Sequence, residues 1–445
     1  MKKDMEKEKY TVIGGGISGL LITALLAAEG KQIDLIEKNT HCGGYLRNLG
    51  CGAPYGAHHI GLPDRSLLSR IIGGLGISDE GLLRSADTVR VLSGQREYEL
   101  SLRLDEQCSQ LCEAFPEEAD GLREYFSFMA DFAEALYSDD DRQIKGYFVK
   151  LAGRSFRSFL ERYFSSEELI QLLSFLGPSY GGVTDEDSAF TFASLASTYG
   201  KGAYYMDCGA LTAKIAEKAA GMENVNIMTG VQAVRIRRND ESGRYTVYDA
   251  DGAVSEADRV IFAGSFRKIL EEYCEHIGVH DTSFKKIFSM ETGPSAYRYY
   301  FRTDVPLKRM EHIRLGADGY IMSTLESDEC SVMLTCVTDS SQPQWDNERL
   351  IHEISDTLGI DASLIHPVCV CAPSEREART LNENGAVFGW KRNARNNLDA
   401  NLIYSIDRKL PGIYVTGNWS ATFGFFGCLY TANKLFCKLT SDRRS

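Results

Sequence analysis

The stretch YTVIGGGISGLLITALLAAEGKQIDLIE, residues 10–37, decides the fold. It opens on a short β-branched and aromatic run, which reads as a strand. GGGISG follows, with Gly14, Gly16 and Gly19 in G-x-G-x-x-G spacing. That spacing alone is weak, because glycine is common and many turns match it. Context decides: ISGLLITALLAAEGK puts apolar residues on a helical period and stops at Gly30, a residue type suited to closing a helix. QIDLIE then reads as a second strand, ending in Glu37 at the distance where an acid meets a ribose hydroxyl pair. Strand, glycine turn, helix and acid-tipped strand together form a βαβ unit for a dinucleotide. Gly14 permits the tight turn, Gly16 lets backbone approach a pyrophosphate, and Gly19 lets the helix lie close to the strand. The helix N-terminus, with Ser18 in its first turn, faces the phosphates.

Lys38 and NTHCGG follow Glu37, so the Gly43–Gly44 pair stands six residues beyond the acid, just before Tyr45. A nicotinamide-binding Rossmann domain has no need of this second pair. With it, the sequence resembles the large FAD-dependent family of flavin amine oxidases, protoporphyrinogen oxidases, UDP-galactopyranose mutases and phytoene-desaturase-like enzymes. The resemblance implies FAD as cofactor and an α/β fold: a Rossmann-type, glutathione-reductase-like FAD-binding domain with a second, mixed α+β substrate domain. Gly14, Gly16, Ser18, Gly19, Glu37, Lys38, Gly43, Gly44 and Tyr45 are its first cofactor-facing residues.

The last thirty residues are similar to the family's closing motif. LPGIYVTGNWSATFGFFGCLYTANKL reads as a strand (Ile413 to Thr416), a turn at Gly417, an aromatic and glycine loop, and a helix from about Cys428. In the family such a helix points its positive end at the flavin pyrimidine edge, where a reduced flavin carries negative charge. That implies cofactor roles for Gly417, Asn418, Gly424, Phe425 and Gly427, with Cys428 a further backbone donor. Asn418 stands where the family usually has an acid. Mid-chain, NVNIMTGVQAVRIRRNDESGRYTVYDADGAVSEADRVIFAG reads as several strands with a turn at Asp251–Gly252. The resemblance gives Val231 a backbone contact to adenine and closes the sheet with the strand ending at Gly264.

These blocks divide the chain as follows: FAD-binding segments at 1–100, 200–268 and 386–445, a helical substrate or cap segment at 101–199, and a strand-rich substrate segment at 269–385. Within the family, GYLRNLGCGAPYGAHHIG, KGAYYMDCGAL and LNENGAVFGW resemble most the phytoene-desaturase and retinol-saturase-like branch. Met206 and Cys208 depart from it, standing where proline and glycine are usual. The implied reaction is hydride transfer between flavin N5 and a substrate carbon, desaturating or saturating a C–C bond of a lipophilic, polyene or isoprenoid-like substrate. His58 and His59 are the candidate proton-handling residues, since histidine exchanges protons near neutral pH. Phe423, Phe426 and Tyr430 are candidate substrate walls; core packing explains them equally well. A flavin amine oxidase, a non-redox isomerase of the UDP-galactopyranose mutase type and a flavin-binding scaffold remain open. The sequence names no electron donor or acceptor.

Composition narrows the partners. A net charge of −13 argues against nucleic acid. The N-terminus leads into a strand pattern rather than a signal-peptide core, so a cytoplasmic protein is expected. The twelve cysteines are scattered without paired CxxC or histidine spacing, which predicts reduced thiols and no metal centre. Cys42 and Cys51 lie near the presumed flavin face without redox-disulfide spacing. Residues 142–164, basic and aromatic, read either as a peripheral membrane contact or as a solvated helix packing its aromatics inward.

Overall fold

The computed structural model describes residues 8–47, 56, 58–63, 65–138, 141–175, 182–308, 310–316, 319–324, 330–338 and 345–441. The opening stretch forms the strand Lys9–Ile13, the helix Ile17–Ala28 and the strand Gln32–Glu37. They sit in a five-stranded parallel sheet, ordered Ile413–Val415, Arg259–Phe262, Lys9–Ile13, Gln32–Glu37, Val225–Thr229. Its strands, apart from the partly exposed edge strand Val225–Thr229, are near-continuous buried runs because both faces are covered. The helix Ile17–Ala28 is buried from Ile17 to Ala27, as expected of a helix apolar all round. It packs between the sheet and the helices Cys208–Ala220 and Gly424–Ser441. A three-stranded antiparallel sheet, Arg235–Arg238, Tyr245–Tyr248 and Ala253–Ala257, is tied to the parallel one through Ser255, whose hydroxyl donates to Asp34 (2.6 Å).

The second part is a seven-stranded sheet ordered Ile365–Cys371, Ser295–Thr303, Ser331–Thr338, Tyr320–Thr324, Glu311–Arg314, Thr88–Ser93, Arg96–Ser101. A helical block from Leu104 to Lys201 packs against it around Phe126, Phe132, Phe156 and Phe192. The sequence division at residue 100 is therefore displaced. Strands 88–101 belong to the second sheet, through parallel pairing of Val89 with Glu311. Helices Arg267–His276 and Thr282–Phe288, which the sequence reading gave to the substrate part, share a core with Phe262 and Ile413 of the nucleotide part. Both shifts have one cause: the pairing partners lie far away in the chain and leave no local mark.

The closing helix also begins earlier than expected, at Gly424 rather than Cys428. Asn418 reaches across the loop and accepts the Gly424 N–H at 2.9 Å, which satisfies a donor that would otherwise keep the turn from starting there.

Candidate functional site

A cleft opens at the carboxyl ends of the parallel strands, the usual ligand position in an open α/β sheet, and encloses about 1200 Å³ counted out to solvent. The glycines on its floor differ in what demands them. A Cβ on Gly19 would stand 1.9 Å from the Gly14 carbonyl oxygen, so Gly19 serves the close approach of helix and turn. Gly14 is held at φ +108°, in the left-handed region. Gly16 has ordinary φ and a Cβ there would meet nothing of the protein, so internal packing does not require it to be glycine. Its open face is cleft. Gly43 donates to the Gly15 carbonyl (2.8 Å), and a Cβ on Gly44 would sit 3.0 Å from the Gly16 Cα, so the second pair locks onto the first turn.

Glu37 lines the cleft and is almost fully buried. One carboxylate oxygen accepts the Gly15 N–H (2.8 Å); the other accepts Asn39 N–H (2.8 Å) and Nδ2 (2.6 Å). Val231 donates its N–H to the Glu37 carbonyl (3.0 Å) and lines the cleft. The Lys38 ammonium donates to the Ala378 carbonyl. Gly264 lines the cleft with open space at its Cβ position.

At the opposite end stands the N-terminus of the closing helix. Asn418 Oδ1 accepts both Gly424 N–H (2.9 Å) and the Cys428 thiol (3.4 Å), so its amide hydrogens are what it can offer a ligand. The Gly424 N–H is thereby committed, and Phe425 supplies the next donor of the first turn. Gly417, at φ +87°, lies against Ser18, whose hydroxyl donates to the Cys428 carbonyl (3.4 Å); this contact joins the two helices, and Ser18 and Cys428 also line the cleft. Gly427 packs on Thr422. Burial pushes the thiols of Cys42 and Cys428 up to about 11, so both stay protonated. Cys42, Cys208 and Cys428 are free thiols; Cys51 lies outside the described residues. Among the described residues no cluster could hold a metal ion.

The two histidines part company. His59 is buried, bonded through Nε2 to the Ala86 carbonyl (3.0 Å) and packed against Tyr199 and Tyr205. Burial pulls its pKa down to about 4. His58 instead meets Glu311 across the fold (3.1 Å). Phe423 is pinned between Phe388 (5.8 Å) and the Arg392 guanidinium (4.0 Å). Phe426 stacks on Tyr430 (6.3 Å) and reaches Tyr137 of the helical block (6.5 Å). In 142–164 the aromatics turn inward, Phe156 stacking on Phe192 at 3.8 Å, while Val149 stays 84% exposed.

Sequence reasoning missed Asn39, Asn382, Phe388 and Trp419. Trp419 Nε1 donates to Asn382 Oδ1 (2.9 Å), and this pair walls the cleft beside Phe388. Asn382 lies in LNENGAVFGW, so its signal was present without its partner.

The fold and the cleft define a two-part α/β protein with a Rossmann-like domain. Its architecture is similar to that of solved amine oxidases. Residues 12–70 match the model of the NAD(P)-binding Rossmann-like domain. The chain is 29% identical over 227 residues to human all-trans-retinol 13,14-reductase, covering 45% of this chain and 37% of that protein. It is 24% identical over 279 residues to 4,4'-diapolycopen-4-al dehydrogenase of Metabacillus indicus, covering 58% and 56%. The match thus spans little more than a third of the retinol reductases. Cyclohexylamine oxidase from Brevibacterium oxydans superposes with a TM-score of 0.68 at 14% identity, over 99% of this chain and 100% of that one. A redesigned putrescine oxidase gives 0.71 at 14% identity, over 99% of both. No helix among the described residues is long and apolar enough to cross a membrane.

Proposed function

We propose that this protein is an FAD-dependent oxidoreductase that adds or removes hydrogen across a C–C bond of a lipophilic, polyene or isoprenoid-like molecule. Bound FAD supplies a two-electron carrier that exchanges hydride at N5. The observation that carries the reading is a single cleft running from the Gly14–Gly19 turn to the N-terminus of the last helix. The residues present fit such a group: Gly16 leaves room that nothing in the protein fills, and neither the first helix nor the last has an acid in its first turn to compete with an anion. In this assignment Glu37 takes the ribose hydroxyls, Gly16 and the first turn of helix Ile17–Ala28 hold the pyrophosphate, and Asn418 and Phe425 meet the far end. Phe388 and Trp419 exclude water beside it.

The two curated relatives, named for a retinol and a polyene aldehyde, support the substrate class. Amine oxidation is the second reading, favoured by whole-chain likeness to the cyclohexylamine and putrescine oxidases. Cytoplasmic placement belongs to the same proposal, with peripheral membrane contact through the exposed side of 142–164.

Anaerobic spectroscopy of the FAD-loaded chain tests the assignment. Photoreduced protein should recover its yellow absorption on mixing with all-trans-retinol, and oxidised protein should keep its colour with cyclohexylamine. Bleaching by the amine would choose the second reading. A mutase-type isomerase would show no net redox change. A chain that stays colourless in excess FAD would end the proposal.

A further inference from the structure

We propose that Leu381 is a specificity residue of the cleft: it closes the Glu37 end on the adenosine half of a dinucleotide, so that a segment following the seven-stranded sheet completes the site. The inference rests on the FAD-dependent reading above and deepens it.

Leu381 ends the helix Pro373–Thr380, which follows the edge strand Ile365–Cys371 of the seven-stranded sheet. It lines the same cleft as Glu37, Lys38, Asn39 and Val231. Its backbone is left-handed, φ 58° and ψ 16°, and its N–H donates to the Glu377 carbonyl (2.8 Å). Glycine or asparagine stops a helix this way with little strain, whereas the Cβ of a leucine crowds the following carbonyl. Such a stop is commonly backed by an apolar contact between the stopping residue and the one four positions before it. Here that position is Glu377, charged and exposed. Leu381 joins none of the hydrophobic clusters among the described residues and stays 39% exposed. Neither the helix stop nor the core accounts for a leucine.

The strained conformation persists because both flanks are pinned. On one side the Lys38 ammonium donates to the Ala378 carbonyl, and Asn39 Nδ2 donates to the Arg379 carbonyl (3.0 Å) over a separation of 340 positions. The same Nδ2 donates to Glu37 Oε1 (2.6 Å), so the acid assigned to the ribose and the end of this helix share one amide group. On the other side Asn382 Nδ2 donates to the Ala386 carbonyl (2.9 Å), and Asn382 Oδ1 accepts the Trp419 indole N–H (2.9 Å). Leu381 therefore cannot relax without breaking contacts that also shape the cleft.

A leucine fixed in this way offers an apolar face. Adenine is the flat, apolar-faced part of a dinucleotide, and it falls at this end once Glu37 takes the adenosine ribose. Covering Leu381 with it removes apolar surface from water, and little ordering is left to be done because the backbone is already set. The flavin half is assigned to the Asn418 and Phe425 end, so Leu381 should act on the adenosine half alone.

Calorimetric titration of ADP and of FAD into the ligand-free chain tests this in Leu381→Gly and Leu381→Asn, two residue types that accept the left-handed backbone and lack the apolar face. Both variants should bind ADP and FAD about tenfold more weakly than wild type, by the same factor for each ligand. Without ligand, both should melt at or above the wild-type temperature. Unchanged ADP affinity in the two variants would overturn the proposal, as would a wild-type chain that takes no ADP. Ligand-free variants that melt below wild type would overturn it as well, since the leucine would then serve the fold. Weakened ADP binding in a chain that takes up no FAD would uphold the role of Leu381 and defeat the flavin reading alone.

Discussion

Asn418 Oδ1 accepts the N–H of Gly424 at 2.9 Å, and this bond sets where the last helix begins and which donors face the cleft. Replacing Asn418 with Ala should cost about 1 kcal/mol, the usual loss of a capping side chain, and lower the melting temperature. Asn418→Asp should keep the cap and the melting temperature. Equal melting of wild type and the Ala variant would remove the capping role.

Gly16 and Gly19 should respond differently to the same methyl group. Gly19→Ala drives a Cβ to 1.9 Å from the Gly14 oxygen, so the apo protein itself should lose stability. Gly16→Ala meets nothing and should cost less than about 1 kcal/mol in the apo protein, yet weaken FAD binding at least about tenfold, equivalent to 1.4 kcal/mol. Thermal melting without FAD and flavin fluorescence titration separate the two effects.

Glu37 organises its end of the cleft through Gly15 and Asn39. Hydrogen bonds to a charged acceptor contribute about 1.5–3 kcal/mol, so Glu37→Ala should weaken FAD roughly 10- to 100-fold. Titration calorimetry showing wild-type affinity would contradict the ribose assignment.

His59 should make the fold acid-sensitive. Burial takes its pKa from 6.5 to about 4, so the unfolded chain binds the proton more readily than the folded one. The stability from keeping it neutral is complete above 6.5 and drains away as pH falls toward 4, by at most about 3 kcal/mol. His59→Gln, which can still donate to Ala86, should flatten melting temperature against pH across that window. The Glu311 contribution has the same sign but is lost lower, as pH falls below 4.5 and through its depressed folded pKa. A wild-type curve already flat between pH 6.5 and 4 would rule the His59 effect out.

Much of this was legible in the chain because its causes are local. Strand, turn, helix and strand from Lys9 to Glu37 follow from periods of two and 3.6 residues and from glycines whose demands arise within a few residues of each other. The candidate cofactor residues travelled with those motifs, so Gly14, Gly16, Glu37 and Gly44 line the cleft together. The start of the last helix was misplaced by four residues because its cap comes from the loop, where sequence periodicity is silent.

Tertiary structure alone decided what depends on residues meeting across the chain. Val89 pairs with Glu311, and His58 finds that same Glu311 at a separation of 253 positions. Sequence offered two adjacent histidines with equal chemistry; folding gave one a backbone carbonyl and the other a buried carboxylate. Side-chain type is written in the sequence, but proton affinity and orientation come from desolvation and from the partner, and both exist only once the chain has closed.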